Sequence, residues 1–77
     1  MPHLILKMVS GRTETQKRTV AERPTRVVVS AFGVDEDSVS VAIEDVAMAD
    51  WTKSVYVPDI QAKPDTIYKK PGYDPFP

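Results

Sequence analysis

The stretch HLILKMVSGRTETQ, residues 3–16, contains the change of periodicity that decides the fold. Residues 3–9 alternate between two faces, which predicts a strand. One face carries Leu4, Leu6 and Met8, and the other carries His3, Ile5, Lys7 and Val9. Residues 10–12 form a turn, after which Thr13 and Gln16 have the spacing of a capping box that opens a helix. A strand followed at once by a helix is therefore predicted.

The predicted helix runs from Glu14 to Phe32, and Gly33 is suited to end it because glycine tolerates the left-handed conformation found there. Its apolar stripe at helical spacing consists of Val20, Pro24, Val27, Val28 and Ala31. Pro24 cannot donate to the Val20 carbonyl and costs about 3 kcal/mol inside a helix. Because the stripe continues past the proline, we expect one helix that is kinked near Pro24.

A second strand is predicted over residues 38–45, where Val39, Val41 and Ile43 alternate with smaller or polar side chains. Strand, helix and strand in this order form a βαβ unit, in which the strands are parallel and the crossover is right-handed. The predicted fold class is α/β (α+β), with two parallel strands and one long helix in a single domain that spans residues 1–77.

The remainder of the chain has a weaker pattern. Residues 47–51 suggest a tight turn, residues 53–57 a short strand, and residues 58–77 a proline-rich tail. Within that tail we expect single helical turns at residues 59–62 and 65–69, and a loose end at residues 74–77. Three tyrosines of this region are expected to anchor a partner subunit: Tyr56, Tyr68 and Tyr73.

Chain length and composition predict a homo-oligomer. A domain of 77 residues buries only about 60% of the surface of its unfolded chain. The absence of cysteine excludes disulfides, and one histidine without cysteine argues against a structural metal site. Two strands do not make a stable sheet, and one helix covers only one of its faces. We therefore expect another subunit to cover the second face and complete the sheet.

Several function classes do not fit this composition. Ten basic and eleven acidic residues give a net charge of −1 without a basic stripe, so no nucleic-acid partner is expected. The apolar runs are only a few residues long, and we expect neither a membrane span nor a signal peptide. The lack of cysteine fits a cytoplasmic location.

Several motifs lie at a characteristic spacing along the first two thirds of the chain. They are Met1-Pro2 before the first strand, Gly11-Arg12-Thr13 before the helix, Ser38-Val39-Ser40-Val41 with Glu44 in the second strand, and Trp51 after it. Together, over about residues 2–52, they resemble the 4-oxalocrotonate tautomerase family. The longer chain and the closing residues 69–73, KKPGY, are similar to the dimeric subgroup, so a dimer is favoured over a hexamer.

The resemblance implies that Pro2, once Met1 is removed, is the catalytic base. An α-amino group titrates near 7.7–8.0, and a nearby cation with partial desolvation lowers that pKa. Such an amine can take a proton from an enol oxygen and return it to carbon. While Met1 remains, the Pro2 nitrogen is an amide without useful basicity. The alternative is that Pro2 merely follows the start codon.

The resemblance also implies substrate-binding roles for Arg12 and Trp51, and the position of His3 on the sheet face away from the helix makes it a further candidate. Arg12 would bind the substrate carboxylate through its guanidinium fork, unless it is only a solvated turn arginine. Trp51 would wall the pocket and exclude water, unless it is an ordinary core or interface residue. His3 would line the pocket as a contact rather than as an acid.

Ser40 is the main departure from the family pattern. Well-known members of the family have a second arginine at this position, which stabilises charge on the 2-oxo group. Serine offers one hydrogen bond and no charge, so it would be a weak ligand here or a plain strand residue. The departure favours a monocarboxylate such as phenylenolpyruvate over a dicarboxylate.

The resemblance thus implies a cofactor-independent keto-enol tautomerase that acts on a 2-hydroxy-2-alkenoate or 2-oxo acid, with no cofactor and no metal. Relatives that hydrate or dehalogenate haloacrylates provide one alternative, although those enzymes usually need further arginines and a water-activating carboxylate. A non-catalytic oligomeric module, in which the proline is never freed, is the other.

Overall fold

The computed structural model describes residues 1–77 and has the predicted βαβ order. The first strand, β1, spans His3–Val9; the long helix, α1, spans Glu14–Phe32; and the second strand, β2, spans Ser40–Val46. The two strands pair in parallel along their whole length. The predicted fold class is therefore confirmed.

The second strand begins two residues later than predicted. Residues Glu36–Ser38 form a short 3-10 turn before it, and the Asp35 side chain accepts a hydrogen bond from the Asp37 N–H (3.3 Å). The turn delays the strand, so that Ser40 lies directly opposite His3 in the register. This register brings the side chains of His3 and Ser40 together at the amino ends of the strands.

Both ends of α1 follow the sequence prediction. The Thr13 hydroxyl accepts from the Gln16 N–H (3.1 Å), and the Gln16 side chain accepts from the Thr13 N–H (2.9 Å), which completes the capping box. Gly33 ends the helix in the left-handed region, at φ 65°, and its N–H donates to the Val29 carbonyl (3.0 Å). These local signals fix the direction in which the chain leaves β1 and returns to β2.

The buried side of α1 differs in part from the predicted stripe. Val27 is 66% exposed and Val20 is 38% exposed, so these residues lie on the flank of the helix rather than beneath it. The residues that are half-buried are Lys17, Ala21, Pro24, Thr25, Val28 and Val29. The Lys17 ammonium binds the Asp45 carboxylate of β2, a hydrogen bond that raises the pKa of Lys17 and fixes the rotation of α1 over the sheet.

Pro24 lies inside α1, which continues through it without interruption. We expect Pro24→Ala to raise the free energy of unfolding by about 1–3 kcal/mol, because alanine restores the hydrogen bond to the Val20 carbonyl and has a far better helix propensity. Urea unfolding followed by circular dichroism measures this change, with the exposed helix residue Thr19→Ala as the control. A loss of stability would mean that the packing of the proline ring outweighs the missing hydrogen bond.

A wide helix, Thr52–Gln61, replaces the strand predicted at residues 53–57 and takes in the first residues of the predicted tail. The Ala62 N–H donates to the Val57 carbonyl (3.0 Å), a five-residue spacing typical of a π-helix. The predicted strand was wrong because the apolar residues Val55 and Ile60 are five positions apart, about one turn of a π-helix, and both line the same groove. Beyond this C-terminal helix, Pro64–Thr66 form one further 3-10 turn, slightly earlier than the predicted turn.

The aromatic residues of the C-terminal part pack on one another within the chain. The Tyr56 ring lies 5.7 Å from that of Tyr73 and 5.8 Å from that of Phe76, measured between centroids. The end of the chain was expected to be loose, and Tyr56 and Tyr73 were expected to anchor a partner. The contact of Phe76 with Tyr56 corrects the expectation of a loose end. The expected contact of the tyrosines with a partner subunit stays a prediction, and Tyr68 is 99% exposed and Tyr73 is 49% exposed.

Each face of the two-stranded sheet is covered by a different part of the chain. Helix α1 packs on the helix face, which carries Leu4, Leu6 and Met8. The C-terminal helix reaches the opposite face, which carries His3, Ile5, Lys7 and Val9, through an ion pair between Lys7 and Asp59 (2.5 Å). This hydrogen bond raises the pKa of Lys7. The opposite face is thus partly covered by the chain itself and stays partly open, since Ile5 is 55% exposed; its further cover by another subunit remains a prediction.

The chain is flat and has almost no interior. Val55, at 5% exposure, is the only buried residue, whereas Ile5 is 55% exposed and Phe32 is 69% exposed. The radius of gyration is 14.2 Å, against about 11.5 Å for a compact chain of this length. No helix combines the length and apolar character needed to cross a membrane.

Candidate active site

The amino ends of the two strands bring Pro2, His3 and Ser40 together. The Ser40 N–H donates to the Pro2 carbonyl (3.1 Å), which extends the parallel ladder by one bond and fixes the backbone of Pro2. Nδ1 of His3 lies 2.6 Å from the Ser40 hydroxyl oxygen. Pro2 is half-buried, while His3 and Ser40 are exposed. Three residues that are distant in sequence therefore form one polar cluster at the head of the sheet.

A groove of about 540 Å³ runs along the opposite face of the sheet. Its walls are Ile5, Lys7, Trp51, Val55, Asp59, Ile60, Lys63 and Thr66. Ile5 is the next residue after His3 on the same face, and no residue of the cluster itself lines the groove. The volume is within the range of small-molecule sites, and the walls combine apolar side chains with a lysine that has no ion pair, Lys63.

Trp51 is held in place at this groove by the tail of the chain. Its indole N–H donates to the Tyr73 hydroxyl (2.8 Å), and Tyr73 in turn packs against Tyr56. A second small cavity, of about 390 Å³, lies between Trp51, Val9 and Tyr73. The tail thus orients the tryptophan, a role that the sequence pattern did not indicate.

Arg12 lies at the other end of β1. It lines a separate groove of about 330 Å³ with Met8 and four residues of the first turns of α1, on the helix face of the sheet. The rise of an extended chain places Met8 about 20 Å from Pro2. Arg12 makes no salt bridge within the chain. One subunit therefore does not bring its guanidinium to its own Pro2.

The structure thus groups three of the five predicted site residues. Pro2, His3 and Ser40 form the cluster. Trp51 lies farther along the same sheet face, against the groove of Ile5 and the cavity of Val9, and Arg12 lies beyond the far end of β1. Sequence reasoning missed the contribution of Lys7, Asp59 and Tyr73. A lysine between apolar neighbours in β1 was the only signal, since its partner lies 52 positions away. No group of three or more His, Cys, Asp or Glu side chains is arranged to hold a metal ion.

Comparison with known proteins gives consistent results. The family model described as tautomerase enzyme matches residues 2–68, beginning at Pro2. A probable tautomerase from Xylella fastidiosa is 42% identical over 73 residues, which cover 95% of this chain and 89% of that protein.

Two solved structures extend the comparison. A homologue of 4-oxalocrotonate tautomerase, YwhB, is 37% identical with a TM-score of 0.58, over 60% of this chain and 75% of that one. A structure described for its trans-3-chloroacrylic acid dehalogenase activity is 26% identical with a TM-score of 0.61, over 64% of this chain and 92% of that one. Similarity therefore extends to proteins with two different named activities.

Proposed function

The chain belongs to the tautomerase family and is an isomerase; from this premise we propose that it is a cofactor-independent keto-enol tautomerase of 2-hydroxy-2-alkenoates, with Pro2 as its base. The observation that carries the proposal is the position of Pro2. Its carbonyl is bound to β2, so its nitrogen lies at the head of the sheet next to His3 and Ser40. We expect the enzyme to work in the cytoplasm.

The proposed chemistry requires removal of Met1, which is 99% exposed. The free Pro2 nitrogen then takes the proton of the enol hydroxyl at C2. The electrons of the O–H bond form the C2 carbonyl. The π electrons of the C2–C3 double bond, passed on through the second double bond in a dienol, then form the new C–H bond with the proton that the same nitrogen returns. The proton count is unchanged, so no other reagent is consumed.

Arg12 is proposed to bind the substrate carboxylate at the Pro2 of another subunit. Within one chain the length of β1 separates the two residues, and Arg12 has no carboxylate partner of its own. A twofold axis that runs two copies of β1 in opposite directions would bring the Arg12 end of one beside the Pro2 end of the other. The same guanidinium would lower the pKa of the Pro2 amine by its positive charge.

The exposed surface supports this oligomer. The chain has an accessible surface of 6140 Å², whereas a compact protein of its mass has about 4,700 Å². The excess, about 1,400 Å² per chain, exceeds the roughly 800 Å² that each partner buries in a standard interface. Val20 and Val27 on the flank of α1 and Ile5 on the opposite face supply the apolar part. We propose a homodimer.

The substrate is proposed to be a monocarboxylate with an apolar substituent, such as phenylenolpyruvate. The head of the sheet carries the neutral Ser40 instead of a second arginine, so it offers no permanent charge to a second carboxylate. The groove along the same sheet face has Ile5, Trp51 and Val55 among its walls, which suit an aromatic ring.

Ketonisation of phenylenolpyruvate, followed by ultraviolet absorbance, tests this proposal. We expect saturable turnover of phenylenolpyruvate and a lower kcat/KM for the dicarboxylate 2-hydroxymuconate. The second candidate, favoured by the similarity to the dehalogenase structure, predicts halide release from trans-3-chloroacrylate. Halide release without ketonisation would replace the proposed function by the second one. Intact mass of the purified protein, lighter by one methionine, is the accompanying check.

A further inference from the structure

The closing segment of the chain, residues 68–77, is attached to the rest of the protein by side chains alone. None of its residues takes part in a backbone–backbone hydrogen bond. Tyr73 and Phe76 both pack on Tyr56 of the C-terminal helix. The one hydrogen bond that joins the segment to the rest of the chain runs from the indole N–H of Trp51 to the Tyr73 hydroxyl (2.8 Å). This contact is therefore a specific link between the tail and the groove that Trp51 lines.

Trp51 lies between two open spaces. It is the one residue that lines both the groove of about 540 Å³ on the opposite face and the cavity of about 390 Å³ formed with Val9, Met48, Thr52 and Tyr73. A tryptophan side chain turns about two rotatable bonds, and a void beside it supplies no packing contact to hold it. Without a further restraint the indole can thus turn from the groove toward the cavity.

The Tyr73 hydroxyl supplies that restraint. The indole N–H is the only hydrogen-bond donor of a tryptophan side chain, and its partner here is Tyr73. The Tyr73 ring is held in turn by Tyr56, at 5.7 Å between centroids and an interplanar angle of 50°, a favourable arrangement for an aromatic pair. Tyr56 belongs to the C-terminal helix that follows Trp51 directly. The indole is therefore fixed at its ring as well as at its backbone.

We propose that Tyr73 is a positioning residue that keeps Trp51 in place as a wall of the groove, and that it thereby sets the affinity of the enzyme for substrates with an aromatic substituent. This inference deepens the proposed function and rests on it. A wall that is already fixed need not be ordered when the substrate ring packs against it, so less of the binding affinity is lost to ordering. Tyr73 acts through Trp51 rather than on the reacting atoms.

Removal of one hydroxyl group tests the inference. We expect Tyr73→Phe to raise KM for phenylenolpyruvate about fivefold, the affinity that the ordering of one side chain costs. The kcat value should stay unchanged, because the wall contacts the ring equally in the ground state and in the transition state. Competitive inhibition by pyruvate, which has the 2-oxo acid group without the ring, should also be unchanged. Tyr68→Phe, the same change at a 99% exposed tyrosine of the same segment, is the matched control. Circular dichroism checks that both variants are folded.

Trp51 is the only tryptophan, so its fluorescence reports on this wall alone. Time-resolved anisotropy should show little fast motion of the indole in the wild type and in Tyr68→Phe, and additional fast motion in Tyr73→Phe. The ketone product, phenylpyruvate, should change the Trp51 emission, with an apparent affinity about fivefold lower in Tyr73→Phe. An indole that stays equally immobile in Tyr73→Phe, an unchanged KM for phenylenolpyruvate, or an equal loss of affinity for pyruvate and phenylpyruvate would each overturn the inference.

These outcomes separate the inference from the proposed function. A wild type that ketonises phenylenolpyruvate with the same KM as its Tyr73→Phe variant would leave the tautomerase proposal intact and remove Tyr73 from it. A wild type without turnover, whose Trp51 emission nevertheless responds to phenylpyruvate and does so more weakly in Tyr73→Phe, would remove the tautomerase proposal and support the positioning role of Tyr73.

Discussion

Insertion of one glycine between Met1 and Pro2 is expected to lower kcat/KM for phenylenolpyruvate by about 10²–10⁴-fold, the contribution of a positioned general base. Once Met1 is removed, the inserted residue carries the free amine, and the Pro2 nitrogen becomes part of an amide that no longer binds a proton. The pyrrolidine ring and the hydrogen bond from the Ser40 N–H to the Pro2 carbonyl are both retained. The insertion therefore changes the chemistry of one nitrogen while it leaves β1 in place.

The matched control is a glycine added after Pro77, at the exposed opposite terminus. We expect this protein to have wild-type rates, and both proteins to show the same far-ultraviolet circular dichroism and elution volume. Mass spectrometry must show that the initiator methionine is absent from the insertion variant. Unchanged turnover with an acylated Pro2 would remove this residue from the mechanism and favour a different base.

The fold was predictable from sequence to the extent that local signals decide it. The capping box of Thr13 and Gln16 and the glycine at position 33 bound α1 without reference to the rest of the chain. The C-terminal helix has no such signals. Its form depends on Val55 and on the contact of Asp59 with Lys7 of β1, and a long-range contact of this kind overrides a weak local alternation.

The site was less predictable than the fold, because the register decides it. A start of β2 at residue 38 keeps the same side chains on each face, since the shift is two residues. The predicted start of β2 does not show which residue pairs with His3. The turn at Glu36–Ser38 sets the register in which that residue is Ser40. Trp51 was expected at the pocket from the resemblance, but its hydrogen bond to Tyr73 could not be predicted because the tail had no recognisable pattern.

The length of β1 bears on which subunit supplies Arg12 to the site that contains Pro2. The seven-residue strand separates Arg12 from Pro2 of the same chain, so a functional role for both requires two chains. We expect Arg12→Ala to lower kcat/KM by about 10- to 150-fold, as the loss of a charge-assisted hydrogen-bond pair does. Arg23→Ala, an exposed arginine of α1 without an ion pair, should have little effect.

Mixing two impaired proteins tests the shared site directly. Pro2→Ala and Arg12→Ala subunits, unfolded together in equal amounts and refolded, should recover about one quarter of wild-type activity if each site takes Pro2 and Arg12 from different chains of a symmetric oligomer. The reason is statistical: half of the sites receive an intact Pro2, and half of those receive an intact Arg12 from the neighbour. The fraction is the same for a dimer and for larger closed assemblies. Refolding each variant alone gives the baseline, and a mixture that stays at that baseline would mean that no site combines the two residues across a subunit boundary.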